Sequence, residues 1–405
     1  MRGRTRGGSK ASAGIDFSVT GTEYIRGEVG SVIEVTSPGN NTLFLGGATR
    51  MGPSALRIEG MTVKVTGGSS GDTFKVFSGC SNLTDCTVIL EGTFGGYATS
   101  NHASAFYNCF GISKSVINVQ NANMSAQLVG YCSNLSDVVI NYISNNGTIT
   151  GNNRGFYQCK NVSNCVTNWL STFTGTVTGD NHAFYECFTV NGCSVYSDVC
   201  NQNMFGFSLC EIISGCNVLI DASGPSVLGL YGFNGCKPVA ACRATITRSS
   251  GYTSLVVGFS GCVYLSACWS YITALGTGVA SYYHGYENCD YISDSIAYVY
   301  SGYATNIRAF YNCENLTSCA GTVAGGCFSA NPNVGFSGCV GVVNCRGQGG
   351  NGGAGAGYGF QGCQQCQHNS PGTSASQTST YTTSYADTST NATAYTAAGG
   401  YNRVT

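Results

Sequence analysis

Asp290 and Glu314 each stand one residue after a cysteine, and together they are the pair of side chains in this 405-residue chain best placed for chemistry. Cleavage of a glycan needs two carboxyl groups roughly 5 to 9.5 Å apart, and these two become neighbours if successive sequence repeats stack. The remaining acids of the central region, such as Asp85, Glu91, Asp137, Asp180, Glu186, Asp198, Glu211, Asp221, Glu287 and Asp294, are scattered over unlike positions, and the plainer reading of Asp290 and Glu314 is two solvated turn acids. His102 and His182 have no nucleophile placed beside them and read as surface residues. Cys363 and Cys366 form a C-x-x-C, but no second close pair stands near them, so a zinc site is not expected. The chain contains no Gly-x-Ser-x-Gly, phosphate loop or His-Glu-x-x-His. No catalytic residue, metal or cofactor is therefore expected.

Both acids belong to a repeat that organises the chain. It reads aromatic, two residues, Cys, two residues, aliphatic, two residues, Cys, as in Phe156, Cys159, Val162 and Cys165. The aromatic and first cysteine recur as Phe184 and Cys187, Phe207 and Cys210, Phe233 and Cys236, Phe259 and Cys262, Phe310 and Cys313, and Phe336 and Cys339. Counting from Cys80 to Cys363 gives twelve copies spaced 23 to 29 residues apart. A period of this length is the signature of a solenoid. After the second cysteine come β-rich runs such as Thr87–Leu90 and Asn217–Ile220, and no helical run of ten residues is visible. The expected fold is all-β, a right-handed parallel β-helix whose like residues stack about 4.8 Å apart, so that twelve coils span roughly 58 Å. The Phe, Cys and aliphatic columns fill its core. Asn82, Asn108, Asn134, Asn161, Asn288 and Asn315 are expected at turns that need left-handed backbone.

The chain has 23 cysteines. Where copies lack the second one they carry Ser115, Val138 or Ser295, yet the first cysteine is retained, which argues against disulfide partners lost together. The first thirty residues lack an apolar segment of the secretory kind, and folding in a reducing compartment agrees with unpaired thiols. Cysteine is read here as a small, buried, nearly apolar side chain.

Four regions are expected. Residues 1–15 form a flexible segment, and residues 16–70 a capping or attachment module with strands at Tyr24–Val29, Ser31–Val35, Thr42–Leu45 and Leu56–Val65. The β-helix occupies 71–366, and a Ser/Thr/Tyr-rich tail occupies 367–405. Charged residues are only 9% and the net charge is −1, so neither nucleic acid nor an anionic membrane is an expected partner, and no apolar window is long enough for membrane insertion. A crowd of tyrosines, Tyr282, Tyr283, Tyr291, Tyr298, Tyr300 and Tyr303, is the candidate binding face for glycan or protein.

The Gly-Phe-x-x-Cys-x-x-Leu/Val-x-x-Cys repeats resemble those of phage tail-fibre and tailspike-type β-helical proteins, and the ending Ala397-Ala398-Gly399-Gly400-Tyr401 is similar to segments of phage fibre chains. That resemblance implies a structural virion component, assembled as a homotrimer in the host cytoplasm, that joins other virion proteins through its termini and attaches to a host surface. A bacterial surface adhesin or filament subunit and a polysaccharide-degrading spike are the alternatives. The repeat is also similar, more weakly, to the BspA-type leucine-rich repeat, but the Ile-x-Ile-Pro continuation of that family is missing here.

Overall fold

A computed structural model describes residues 32–36, 42–45, 58–68, 75–93, most of 104–364, 370–371 and 380–381. The expected residues 1–15, the strand at 24–29, nearly all of the tail, and His102, Tyr303, Cys200, Cys327 and Cys366 lie outside the described residues.

The fold is a parallel β-helix of three long sheets, with a small fourth sheet formed by Thr148–Thr150 and Thr176–Thr178, and the described residues contain no helix. One coil shows the plan. Asn153–Tyr157 lies in an aromatic sheet, Lys160–Ser163 in a short sheet between the two cysteines, and Val166–Trp169 in a sheet of alternating burial. The sheets contain 14, 12 and 14 strands in that order, so the coil count departs slightly from twelve. Sequence reading falls short because pairing continues beyond the cysteines at both ends. Phe44 pairs in register with Phe77, and Val32–Thr36 pairs with Thr62–Thr66. The strand expected at Leu56–Val65 is instead two, Ile58–Glu59 and Thr62–Gly68, broken by Gly60 at φ 65°. Buried Met61 takes the corner that a second cysteine takes in later coils, and its carbonyl accepts from Thr87 N–H. The described strands before residue 70 are thus cysteine-free coils of the same helix, not a separate module. Ser370–Pro371 and Thr380–Tyr381 likewise extend the alternating and aromatic sheets past residue 366.

Each coil turns at the two cysteines, and the residue before each cysteine is left-handed, as at Asn108, Gln158, Asn164 and Asn288. A third left-handed residue lies two after the first cysteine in the described coils, except after Cys236, where the cis-peptide residue Pro238 stands. All six asparagines expected in that conformation adopt it, with φ between 50° and 56°. Inside, Phe156, Phe184, Phe207, Phe233, Phe259, Tyr286, Phe310, Phe336 and Phe360 pair rung on rung. Their rings stack at 4.6–5.0 Å in near-parallel planes. The cysteine and aliphatic columns, with Val162 among them, are fully buried beside the rings. Offset ring contacts add about 0.5–1.5 kcal/mol per pair to the area buried.

The cysteines do more than fill space. The Cys109 thiol donates to Tyr107 O (3.3 Å) and to Phe77 O of the preceding coil (3.5 Å), while its sulfur's neighbour in the next coil, Cys132 Sγ, accepts from Cys109 N–H. Corner backbone groups that point inward are thereby satisfied. The serines that replace cysteine do the same: Ser115 donates to Ser113 O and accepts from Cys86 N–H, and Ser295 donates to Ser293 O and accepts from Cys268 N–H. The expectation of a nearly apolar filler is corrected to a filler that also hydrogen-bonds. Cys216 donates to Ser214 O at 3.3 Å. Cys216→Ser is expected to cost less than about 1 kcal/mol, whereas Cys216→Ala leaves a corner carbonyl short of a donor and should cost about 1–3 kcal/mol. Urea midpoints of the two variants decide this, and an alanine variant as stable as the serine variant would mean the thiol is only a filler.

Candidate functional site

The tyrosines expected to form one face do not share one. Tyr282 is exposed on the aromatic sheet, Tyr283 next to it points into the core, Tyr291 is exposed on the short sheet, and Tyr298 and Tyr300 lie half-buried on the alternating sheet. Burial pushes the Tyr283 phenol up to about 12. The separation has a local cause. In the aromatic strand the residue before the ring also faces inward: a Cβ on Gly285 would meet Ala297 Cβ at 2.6 Å. Strict alternation is broken there, and Tyr283 falls on the inner side.

What the fold does assemble is a patch on the outer face of the alternating sheet. Trp269–Ala274 and Ile296–Ser301 are adjacent strands in register, with Trp269 opposite Ile296 and Tyr271 opposite Tyr298. Trp269 is 52% exposed, Tyr271 and Ile296 are also exposed, and the Tyr271 and Tyr298 rings stack at 5.0 Å. Two residues apart on one strand, Trp269 and Tyr271 project from the same side. Leu219 continues the exposed column two coils away, and Arg243, on the intervening coil, borders it with its Nε–H donating to Thr245 Oγ1. Around the Cys268 corner Tyr264, 58% exposed, stacks on Tyr291 at 5.0 Å on the short sheet. Half of the exposed large apolar side chains of the described structure therefore lie between Tyr264 and Ile296. Trp269 carried a sequence signal that was passed over. It follows a second cysteine directly, the first outward position of the alternating strand.

Asp290 and Glu314 are register neighbours in the short sheet, as the repeat alignment requires. The Asp290 carboxylate is engaged locally, accepting from Tyr291 N–H at 2.8 Å and from the Asn315 side-chain amide at 2.7 Å. Glu314 is exposed on a flat strand. Such a carboxylate serves as a turn ligand that fixes Tyr291 and the left-handed Asn315. Among the described residues no group of three or more His, Cys, Asp or Glu side chains could hold a metal ion.

The histidine expectation is corrected. His182 is only 7% exposed, its ring stacked on Phe205 at 4.6 Å and edge-on to Tyr185. Burial lowers it to about 4, with Arg154 acting the same way against Asp180 and Glu186. His284 is 1% exposed, beside Tyr311 and 3.5 Å from the Glu287 carboxylate, and burial lowers it too. A histidine with a depressed native pKa binds fewer protons folded than unfolded, so its contribution is complete above about pH 6.5 and is lost as pH falls toward 4. For His182 the loss is at most about 3 kcal/mol. Urea unfolding at pH 7 and 4.5 should show a larger drop for the wild type than for His182→Phe, and equal drops would place His182 in contact with water.

No family model, curated protein or solved structure matches the chain.

Proposed function

We propose that the chain is the shaft of a phage attachment fibre or spike that binds a host surface without cutting it. The observation that carries this reading is the exposed Trp269, Tyr271, Ile296 and Tyr298 patch on an otherwise charge-poor rod. Apolar patches with Trp and Tyr at their centre are where recognition energy concentrates, because large rigid rings bury much area with few torsions to freeze. The stacked coils hold these side chains on a rigid sheet, so little ordering cost is left for binding. In the particle the shaft is homotrimeric, is held through its termini, and presents its patches together, so that modest single contacts add to firm attachment.

Purified protein is therefore expected to adhere to cells of responsive strains in a bacterial panel, and Trp269→Ala with Tyr271→Ala should reduce adhesion at least tenfold at unchanged urea stability. Undiminished adhesion by a folded double variant removes this patch from the proposal. Surface glycans incubated with the protein should keep their chain length. Shortened glycans that disappear with Glu314→Gln would establish the cleaving alternative, with Asp290 and Glu314 as its site.

A further inference from the structure

We propose that the first cysteine column is an oxidative cross-linking site, at which a peroxide-class oxidant joins thiols of successive coils as disulfides. The column runs through Cys80, Cys109 and Cys132 and on to Cys339 and Cys363, all buried thiols. Backbone bonds stack them rung on rung: Phe110 N–H donates to Cys80 O at 2.9 Å, Ser133 N–H to Cys109 O at 3.0 Å and Gln364 N–H to Cys339 O at 2.8 Å, and Cys109 N–H donates to Cys132 Sγ at 3.3 Å. Parallel strands place equivalent residues about 4.8 Å apart, inside the Cα separation of about 4.4–6.8 Å that a disulfide spans. The fold thus brings together sulfurs that lie 23–29 residues apart in the chain. It also sets those nearest in sequence on different corners: Cys80 and Cys86 stand at opposite ends of the Ser81–Thr84 strand, their thiols donating to different carbonyls, Ser78 O and Thr84 O.

The chemistry balances with one oxidant. A thiolate attacks the O–O bond of hydrogen peroxide, giving a sulfenic acid and, after protonation, water. The neighbouring thiol then displaces the hydroxyl as a second water, closing the disulfide; two thiols lose two electrons and peroxide gains them. Each sulfur joins one partner, so alternate gaps along the column are bridged. Burial pushes the thiols of Cys109, Cys210, Cys313 and Cys339 up, which holds these protonated and unreactive until a coil opens. Opening is easiest at the ends, and Cys80 is the most exposed member at 7%. Reaction therefore begins at Cys80 with Cys109 and at Cys339 with Cys363. The rod assembles reduced and becomes covalently laced from its ends when it meets an oxidising medium.

The test uses the full chain, purified with reductant, desalted, exposed to hydrogen peroxide, alkylated and mapped by mass spectrometry without reduction. Bridges between Cys80 and Cys109 and between Cys339 and Cys363 are expected first, with a several-fold longer half-life under thermolysin. Cys109→Ser, which keeps a hydroxyl at the corner as Ser115 does in the second column, should abolish the first bridge and leave the second. Should that variant not fold, Cys363→Ser serves the other end in the same way. Bridges dominated by same-coil pairs such as Cys80 with Cys86 are what a disordered chain yields, because short loops close most readily, and would overturn the proposal. Sulfinic or sulfonic acid at Cys80 without any bridge, or thiols that all survive peroxide in the folded chain, would overturn it equally.

Discussion

Phe259→Ala is expected to destabilise the protein by about 3–5 kcal/mol, the cost of deleting a large ring from a packed core. Phe259 is fully buried, and its ring lies between those of Phe233 at 4.7 Å and Tyr286 at 4.8 Å. Truncation removes both ring contacts and opens a gap that the column cannot close. Neighbouring rungs are held at the spacing of the backbone hydrogen bonds, so collapse would break the sheet register. A solenoid couples each coil to its two neighbours only, and limited proteolysis of the variant should first cut near the middle of the array. Full protease resistance would mean that the ring is dispensable and that the sheet ladders alone hold the rod.

How much of this was readable in the sequence depends on which residues announce themselves. The rings, the two cysteine columns and the aliphatic column recur at fixed offsets, and each is buried as the period requires. Left-handed asparagines were legible because few other side chains settle there readily. The coils before residue 70 were missed because Met61 takes the corner, and Phe44 the register position opposite Phe77, without any cysteine to mark them. His182 was misread because it occupies a position outside the ring column, where Arg154 precedes it and Phe205 follows. Only the three-dimensional stack shows that this position is covered. The dispersed tyrosines have the same origin: Tyr282, Tyr283, Tyr291, Tyr298 and Tyr300, near one another in sequence, traverse all three sheets of one coil. A solenoid makes neighbours of residues one period apart, so the exposed patch pairs Trp269 with Ile296 and not with the nearest tyrosine in the chain.

Gly258→Val should cost more than about 3 kcal/mol, at or above the upper end for overpacking a filled core. The glycine immediately before most of the rings was visible in the repeat, but its reason lies across the helix. A Cβ at Gly258 would sit 2.0 Å from Ser270 Oγ and 2.7 Å from Gly285 O of the next coil. The first obstacle is a side chain and the second is backbone fixed in the sheet. Elsewhere the helix solves the same contact with the sizes exchanged: Ala309 occupies the position before Phe310, and the residue facing it is Gly321, where an added Cβ would meet Ala309 Cβ at 3.0 Å. From Gly206 to Gly335 at least one member of each such facing pair is glycine, whereas some earlier coils carry a side chain on both sheets, as with Ala183 and Val195. Gly258→Ala alone should therefore destabilise by about 1–3 kcal/mol, and Ser270→Gly introduced with it should recover more than half of that loss by recreating the Ala309 and Gly321 arrangement. Thermal or urea unfolding of the two single variants and the pair gives the coupling directly. Simple additivity of the two substitutions would show that the carbonyl of Gly285, and not Ser270, sets the limit on side-chain size at this rung.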